Sequence, residues 1–402
     1  MKKTKCWINV PNQKDKLIEN IYILAFVVFI VYKFLETTTW RITWPDNFFE
    51  IIKQILIALT VARVCIDNKY TLKFTLAIAG LVFVCLFAWK TNGYTEILYM
   101  LILIIGCKGI NADKIIRIYF GVSLALLLIT ITASLTGVIE NLVYYQGEDR
   151  VRMSLGIIYP TDFSAHVFFL TLCYVFLRRK SLFLLECFIP IVLGAVVYFV
   201  CDARLNTICL FTFGIGLFIQ FLWRKKSNLK PGIILNVCKL INNLLIIVPV
   251  LCAGFMINLT MVFSSDRWWT AKLNEILNNR LCYGREGLDI YGISLWGQYI
   301  EMMGNGSNTE TKPFYFFLDS SYVSCLLRYG LVILLVVLII VVCISFKAKE
   351  HKNFVLVWIM AVIGIQCMVE QHLIEVAYNP FLWLVLAKFT EDTEQTIKGE
   401  KK

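Results

Sequence analysis

The chain has 402 residues, of which 58% are hydrophobic and only 17% are charged, and its mean hydropathy is +0.70. Soluble globular proteins are about 45–50% apolar and about a quarter charged, so this composition excludes a soluble enzyme. The formal net charge of +11 would suit nucleic acid in a soluble protein, but the basic residues of a membrane protein mainly report its orientation. We therefore expect the lipid bilayer, and not nucleic acid, as a partner.

Apolar runs along the chain predict twelve membrane-spanning helices, because a span needs roughly 20 mostly apolar residues. In chain order these runs cover residues 18–35, 47–66, 71–89, 94–107, 115–139, 160–177, 181–200, 205–223, 235–262, 320–346, 353–370 and 376–390. A transmembrane β-barrel would instead show alternating segments of about ten residues. We therefore predict an all-α, polytopic membrane protein with about 12 transmembrane helices, in which residues 1–402 form a single integral membrane domain.

The positions of the Lys and Arg residues predict the orientation of these spans. With the N-terminus in the cytoplasm and alternating spans, 26 of them fall inside, 10 fall outside and 3 lie within spans. Cytoplasmic loops carry such an excess, which predicts a multi-pass protein of the cytoplasmic membrane with both termini cytoplasmic. Residues 264–319 then form a large extracytoplasmic loop, and the one-sided apolar pattern from Trp268 to Leu281 predicts a short amphipathic helix in it.

The sequence predicts no cofactor and no metal site. The 14 cysteines are scattered, and most lie in apolar runs, where a free Cys behaves as a small hydrophobic residue. There are only three histidines, His166, His351 and His372, which argues against a His-rich metal site. The chain has no P-loop and no Gly-rich dinucleotide motif, so we expect no direct use of ATP.

Four groups of polar residues fall on the predicted outer side, at 148–166, 201–206, 267–298 and 318–330. Arginines there would suit a dianionic ligand such as a lipid-linked pyrophosphate, and a nearby carboxylate or imidazole would supply a general base. Most of these residues also have a structural interpretation, since outer arginines can extend to lipid headgroups and neighbouring polar groups can satisfy each other. The residues singled out are Arg150, Arg152, Asp162, His166, Asp202, Arg204, Asp319, Tyr322 and Arg328.

The four groups resemble, in order and spacing, four segments of bacterial O-antigen and capsular polysaccharide polymerases, the Wzy-type family, and of the related O-antigen ligases. RVRMSLGIIYP is similar to R-x-R-x-S-x-G-x-x-x-P, and DAR at 202–204 is similar to a Ser-Arg motif that opens a span. NRLCYGREGLDIYGISLWGQ resembles the Arg-Leu, Tyr-Gly and Phe-Gly pattern of a large outer loop. LDSSYVSCLLRYG resembles Asp-x-x-Tyr-x-x-x-Leu-x-x-x-Gly. The resemblance covers about residues 115–390, and Asp162 and Ala203 depart from it where an Asn and a Ser are expected.

This resemblance implies an inverting, metal-independent glycosyl transfer at the outer membrane face, with undecaprenyl-pyrophosphate-linked oligosaccharides as donor and acceptor. It implies that Asp319, where the ligases carry a His, is the catalytic base. It also implies a flippase and a chain-length regulator of the same pathway as partners. The arginines that it implies in pyrophosphate binding are Arg150, Arg152, Arg204 and Arg280, and the residues in supporting roles are Asp162, His166, Asp202, Tyr322 and Arg328.

Two other functions remain open at this point. One is a ligase that moves a finished glycan to another acceptor. The other is a flippase or another transporter of lipid-linked oligosaccharides, which would be expected to show related halves and broken spans near the midplane.

Overall fold

The computed structural model describes residues 13–40, 48–66, 71–146, 150–227, 231–304 and 315–389. These residues are mostly helical, with one antiparallel hairpin of strands β1 (Val143–Gln146) and β2 (Arg150–Met153). The helices are α1 (Gln13–Leu35), α2 (Phe48–Ile66), α3 (Leu72–Asn92), α4 (Glu96–Gly106), α5 (Ala112–Leu135), α6 (Pro160–Arg178), α7 (Ile189–Cys201), α8 (Arg204–Ser227), α9 (Pro231–Val262), α10 (Trp268–Ile276), α11 (Arg280–Tyr291), α12 (Ser321–Ser324), α13 (Gly330–Glu350) and α14 (Phe354–Gln366).

Within the described residues, seven helical segments are long and apolar enough to cross a membrane. They are Leu72–Asn92, Ala112–Leu135, Pro160–Arg178, Leu184–Cys201, Arg204–Leu222, Leu240–Val262 and Ser321–Glu350. Many of their large apolar side chains are exposed, as Phe83 and Phe199 are, which suits contact with lipid. The prediction of an all-α membrane protein is therefore confirmed at this level, whereas the count of twelve spans is not.

The predicted twelfth span, 376–390, is not an α-helix in its described part. A 3₁₀-helix, Phe381–Val385, follows an irregular stretch at 367–380. Pro380 has no N–H to donate and disfavours a helical conformation at the residue before it. The side chain of Asn379 meets nearby backbone groups instead, donating to Leu373 O at 2.8 Å and accepting from Phe381 N at 3.1 Å. Local hydrogen bonds thus replace the helical ladder.

Contacts between helix termini define the two ends of the bundle. At one end Asp319 lies near Arg280 and Glu370, and Glu370 is within electrostatic reach of Arg152 of the β-hairpin, which also interacts with Asp202. At the other end Lys388 N donates to Ile110 O at 2.8 Å, and Arg179 pairs with Asp113 at 2.7 Å. We name these the Asp319 end and the Lys388 end. Residues 367–388 run from the first to the second, and the orientation relative to the cytoplasm stays a prediction from the Lys and Arg count.

Helix α14 forms the centre of the bundle, because it packs against α6, α8, α9 and α13 and nearly all of its residues are buried. Gly364 of α14 allows the close approach of α9, since a Cβ at this position would lie 2.8 Å from Pro249. The Asp319 end of α14 therefore delivers residues 367–375 into the interior of the bundle.

Two glycines join the large loop to a break between α12 and α13. A π-helical turn, Cys325–Tyr329, separates these helices. Gly297 and Gly330 have φ of +82° and +89°, and a Cβ on Gly330 would lie 2.3 Å from Gly297 N. Only glycine accommodates both the left-handed backbone and this approach. Gln298 N donates to Arg328 O at 3.1 Å, so the broken helix and the loop share backbone hydrogen bonds.

Candidate functional site

The first part of the site is a cationic group of three arginines around Asp202. Strand β2 directs Arg150 and Arg152 to one face, because alternate strand residues share a side. Arg150 is ion-paired with Asp202, and Arg204 Nε lies 3.5 Å from the other carboxylate oxygen. Arg152 Nε donates to Cys201 O at 2.9 Å. Asp202 ends α7 with φ of +46°, and this turn aims its carboxylate at the hairpin.

The cationic group carries a net formal charge of +2, from three arginines and one carboxylate. The side chain of Arg204 is 60% exposed, so it is open to a ligand. Burial and the neighbouring Arg150 lower the pKa of Arg152. A bound anion would stabilise this cation, and the guanidinium groups match phosphate oxygens geometrically.

The second part of the site is rich in carboxylates and centres on Arg280, the first residue of α11. Arg280 Nε donates to Val369 O at 2.8 Å and lies 3.4 Å from Asp319 Oδ2. Its Nη2 lies 3.4 Å from Glu370 Oε1. Burial opposes the charge of Arg280, but Asp319 and Glu370 together raise its pKa. The guanidinium is thus a fixed cation between two carboxylates.

His372 extends this second part. Its ring is fully buried, and Nδ1 lies 3.0 Å from Glu375 Oε2. Nε2 faces Asp162 Oδ1 at 3.7 Å and Glu370 Oε2 at 4.0 Å. Asp162 reaches this position from the first turn of α6, where a carboxylate also suits the helix dipole. We name Asp162, Arg280, Asp319, Glu370, His372 and Glu375 the acid–base group.

Within the acid–base group, the pKa values of Asp319 and His372 both lie above their ordinary values. Burial raises the pKa of Asp319 to about 6, although Arg280 opposes the shift. Burial would lower the pKa of His372, but its hydrogen bond to Glu375 and the surrounding carboxylates raise it to about 9. At neutral pH Asp319 is therefore mostly an anion of increased basicity, and His372 is a cation.

The two groups are neighbours at the Asp319 end. Arg152 interacts electrostatically with both Asp202 and Glu370, and Asp162 interacts with Asp319. Tyr315 lies within electrostatic reach of both Arg280 and Asp319. The structure therefore brings together seven of the ten sequence-predicted residues, namely Arg150, Arg152, Asp162, Asp202, Arg204, Arg280 and Asp319. Arg280 stands with Asp319 and not with the other three arginines.

The remaining three predicted residues have structural contacts. Tyr322 is buried and donates to Gly364 O at 2.8 Å. The guanidinium of Arg328 stacks over the Tyr94 ring at 4.1 Å. His166 lies 3.0 Å from the Thr37 hydroxyl and stacks on Tyr378 with ring centroids 4.3 Å apart. His166 therefore borders the acid–base group, since Tyr378 also contacts His372 and since His166 lies within electrostatic reach of His372.

Sequence reasoning missed Glu370, His372 and Glu375. They form the run E-x-H-x-x-E, which starts at the last residue of the predicted span 353–370 and ends just before the predicted span 376–390. Three ionisable groups within six residues, at the predicted outer side, satisfy the same criterion that selected the other four groups. Among the described residues, no group of three or more His, Cys, Asp or Glu side chains is arranged to hold a metal ion.

Comparison with known proteins identifies no relative. No protein-family model, no curated protein and no solved structure matches the chain.

Proposed function

We propose that this protein elongates a polysaccharide at the outer face of the cytoplasmic membrane, by transferring a glycan from one undecaprenyl-pyrophosphate carrier to a repeat unit on another. One observation supports this proposal most. Residues from the four resembling segments, up to about 170 positions apart in the chain, meet at one end of a helical membrane bundle. There they form the cationic group, which is suited to an anion, and part of the acid–base group beside it, and such a transfer needs both kinds of group.

In the proposed reaction, the cationic group holds the pyrophosphate of the donor. Arg204 is open to it, and the pyrophosphate would compete with Asp202 for Arg150. As the glycosidic C–O bond breaks, negative charge grows on the pyrophosphate oxygen, and fixed guanidinium groups stabilise that charge. This interaction is stronger in the transition state than in the ground state, so it accelerates the transfer.

Asp319 is the proposed proton acceptor. The acceptor sugar hydroxyl gives its proton to the carboxylate while its oxygen forms the new bond to the anomeric carbon, and the pyrophosphate carrier leaves with the electron pair. A pKa of about 6 suits this step, because the base is ionised at neutral pH and yet more basic than an ordinary aspartate. Arg280 fixes Asp319 through the 3.4 Å contact.

Deletion of the gene tests the function in cells. We expect surface glycan of single repeat units, with lipid-linked repeats accumulating on the outer side of the membrane. Accumulation on the inner side would instead indicate a flippase. Full-length lipid-linked chains that never reach their final acceptor would indicate a ligase.

Point variants test the site. Arg204→Ala and Asp319→Asn should stop elongation at wild-type protein levels, and Arg204→Lys should impair it strongly because an ammonium cannot bind phosphate bidentately. The matched control is Arg285→Ala, since Arg285 is an outer arginine that pairs with Asp289 at 2.8 Å on its own helix. Normal chain length in both Arg204→Ala and Asp319→Asn would contradict the site assignment.

A further inference from the structure

His372 lies in the irregular segment 367–380, which carries it from the end of α14 into the interior of the bundle. Its ring is 0% exposed. A neutral buried imidazole usually has both nitrogens matched to a donor and an acceptor. Here both nitrogens face carboxylate oxygens, which are acceptors when ionised. This environment suits the doubly protonated ring.

Glu375 and Tyr378 fix the orientation of this ring. Glu375 Oε2 accepts from Nδ1 at 3.0 Å, and the Tyr378 ring lies 4.2 Å away, centroid to centroid. Tyr378 is itself held between His372 and His166. The Asn379 side chain pins the same segment through Leu373 O at 2.8 Å. With Nδ1 occupied, the remaining proton of the ring can point only along Nε2.

Nε2 points toward the two carboxylates of the acid–base group that Arg280 does not fully neutralise. It lies 3.7 Å from Asp162 and 4.0 Å from Glu370, and it has no hydrogen-bond partner among the described residues. A buried donor without a partner is unfavourable. Nε2 interacts with these two carboxylates electrostatically and not through hydrogen bonds, and a substrate hydroxyl or a water could bridge the groups.

The formal charges of the acid–base group indicate the role of the His372 ring. The acid–base group contains four carboxylates and, apart from His372, a single cation, Arg280. An imidazolium brings the net charge of the group from −3 to −2. Without it, Asp162 and Glu375 would lack a close cation, and unpaired charge in a largely buried site is unfavourable.

We propose that His372 is a positioning residue of the proposed reaction: Glu375 holds it as an oriented imidazolium, which keeps Asp319 ionised and the neighbouring carboxylates in place. This inference rests on the proposed function. It names a pair, His372 with Glu375, that acts through Asp319 and does not itself accept the substrate proton.

The groups that face His372 come from three parts of the chain. They are Asp162 and His166 of α6, Asp319 before α12, and Glu370, Glu375 and Tyr378 of its own segment. Removal of the imidazolium therefore acts on Asp319 through space. In His372→Gln the acid limb of the elongation rate against pH should move upward by about one pH unit, the usual size of the effect of one nearby charge. A merely structural role would lower the rate at every pH without moving the limb.

Thermal unfolding of the purified protein in detergent tests the imidazolium without relying on the activity. A His pKa that rises from about 6.5 to about 9 on folding stabilises the fold fully below pH 6.5, and this stability is lost as the pH rises through 9. The midpoint temperature of unfolding of the wild type should therefore decrease as the pH rises from 6.5 to 9, whereas that of His372→Gln should not show this decrease. His351→Gln is the matched control, because His351 lies at the Lys388 end and stacks on Phe389.

A double variant separates positioning from folding. His372→Gln leaves a buried excess of negative charge and lowers the unfolding midpoint, but His372→Gln combined with Glu375→Gln restores the wild-type net charge. We expect the double variant to regain most of the midpoint and still to elongate at least tenfold more slowly than the wild type at pH 7, with the displaced acid limb. Wild-type elongation by the double variant, or an undisplaced acid limb in both variants, would overturn the proposal.

The two proposals fail in different ways. If the wild type itself adds no repeat units to supplied lipid-linked substrate in vesicles, the proposed function is wrong, and the unfolding profiles still report whether His372 is an imidazolium. If the wild type elongates but its unfolding midpoint does not depend on His372 between pH 6.5 and 9, the inference about His372 is wrong and the proposed function stands.

Discussion

Substitution of Arg280 by Gln tests whether the acid–base group depends on its central cation. Arg280→Gln removes the one guanidinium that, among the described residues, contacts both Asp319 and Glu370, each at 3.4 Å. Breaking a buried ion pair by removing one partner costs about 3–5 kcal/mol, because the other charge stays buried without compensation. We therefore expect Arg280→Gln to lose ~3–5 kcal/mol in the free energy of unfolding and to show no elongation.

Arg285→Gln is the matched control for this experiment, because Arg285 lies on the same helix five positions later. It pairs with Asp289 at 2.8 Å, and both side chains are substantially exposed. Exposed pairs of this kind contribute about 0–1 kcal/mol. Unfolding of the two variants in detergent by denaturant, followed by tryptophan fluorescence, measures both losses under the same conditions.

A second substitution tests whether the lost stability comes from unpaired carboxylates. Adding Glu370→Gln to Arg280→Gln removes one of the two uncompensated carboxylates, so the double variant should recover part of the lost stability, with a coupling of about 0.5–3 kcal/mol. Equal losses of unfolding free energy in Arg280→Gln and Arg285→Gln, or no recovery in the double variant, would refute the conclusion that Arg280 stabilises the fold through its ion pairs with Asp319 and Glu370.

Three further predictions concern the loop, the pH dependence and the cationic group. Gly297→Ala should destabilise the protein by about 3 kcal/mol or more, because its Cβ would lie 2.2 Å from the Arg328 carbonyl oxygen of the broken helix. Gly93→Ala, with φ of +78° and open space around it, should lose only ~1 kcal/mol. Equal losses of the two variants in thermal unfolding would contradict this contact. Elongation in vesicles should rise with pH through about 6, as Asp319 ionises, and fall through about 9, as His372 loses its proton; a flat profile between pH 5 and 10 would exclude both roles. Asp202→Asn frees two arginines from their ion pairs, so it should tighten the binding of inorganic pyrophosphate, measured by calorimetry, and unchanged or weaker binding would argue against the cationic group as an anion site.

The helical membrane class and the location of the site could be predicted from the sequence for physical reasons. Apolar runs of about 20 residues have few alternatives to a membrane helix, so the long spans follow from composition. Arg150, Asp202 and Asp319 lie beside such runs at alternate boundaries. Alternation alone therefore predicts that these residues meet at one end of the bundle, as the structure has them.

Residues that depend on irregular backbone could not be predicted in this way. The run 376–390 is apolar enough to suggest a span, but Asn379 and Pro380 form local hydrogen bonds in place of a helix. As a result His372 enters the bundle instead of remaining in a surface turn. The separation of Arg280 from Arg204 is likewise a consequence of the contact with Val369 O, and no pattern in the sequence predicts a contact between residues 89 positions apart.

The proximity of the cationic and acid–base groups has a consequence for the proposed glycan transfer, and the pH dependence of elongation tests it. In the proposed reaction, the arginines around Asp202 carry a net formal charge of +2 before the donor binds, and a positive charge near Asp319 would favour its ionised form. A bound pyrophosphate cancels that charge. For a separation taken as about 10 Å and an effective dielectric constant of about 20, each unit of charge is worth ~1.7 kcal/mol, or about one pKa unit. The pKa of Asp319 should therefore rise when the donor binds, which makes the carboxylate a stronger base at the moment it is needed.

This coupling predicts that the acid limb of kcat, which reports the donor complex, lies above the acid limb of kcat/KM, which reports the free protein. Both profiles can be measured in vesicles with saturating and limiting lipid-linked donor. Arg204→Lys weakens the anion contact but keeps the charge, so the acid limb of kcat should still lie above that of kcat/KM. The double variant Arg150→Gln, Arg204→Gln removes two positive charges, so it should reduce the separation of the two limbs. Identical acid limbs for kcat and kcat/KM in the wild type would show that the pyrophosphate does not bind near Asp319, and the two groups would then have to serve separate ligands.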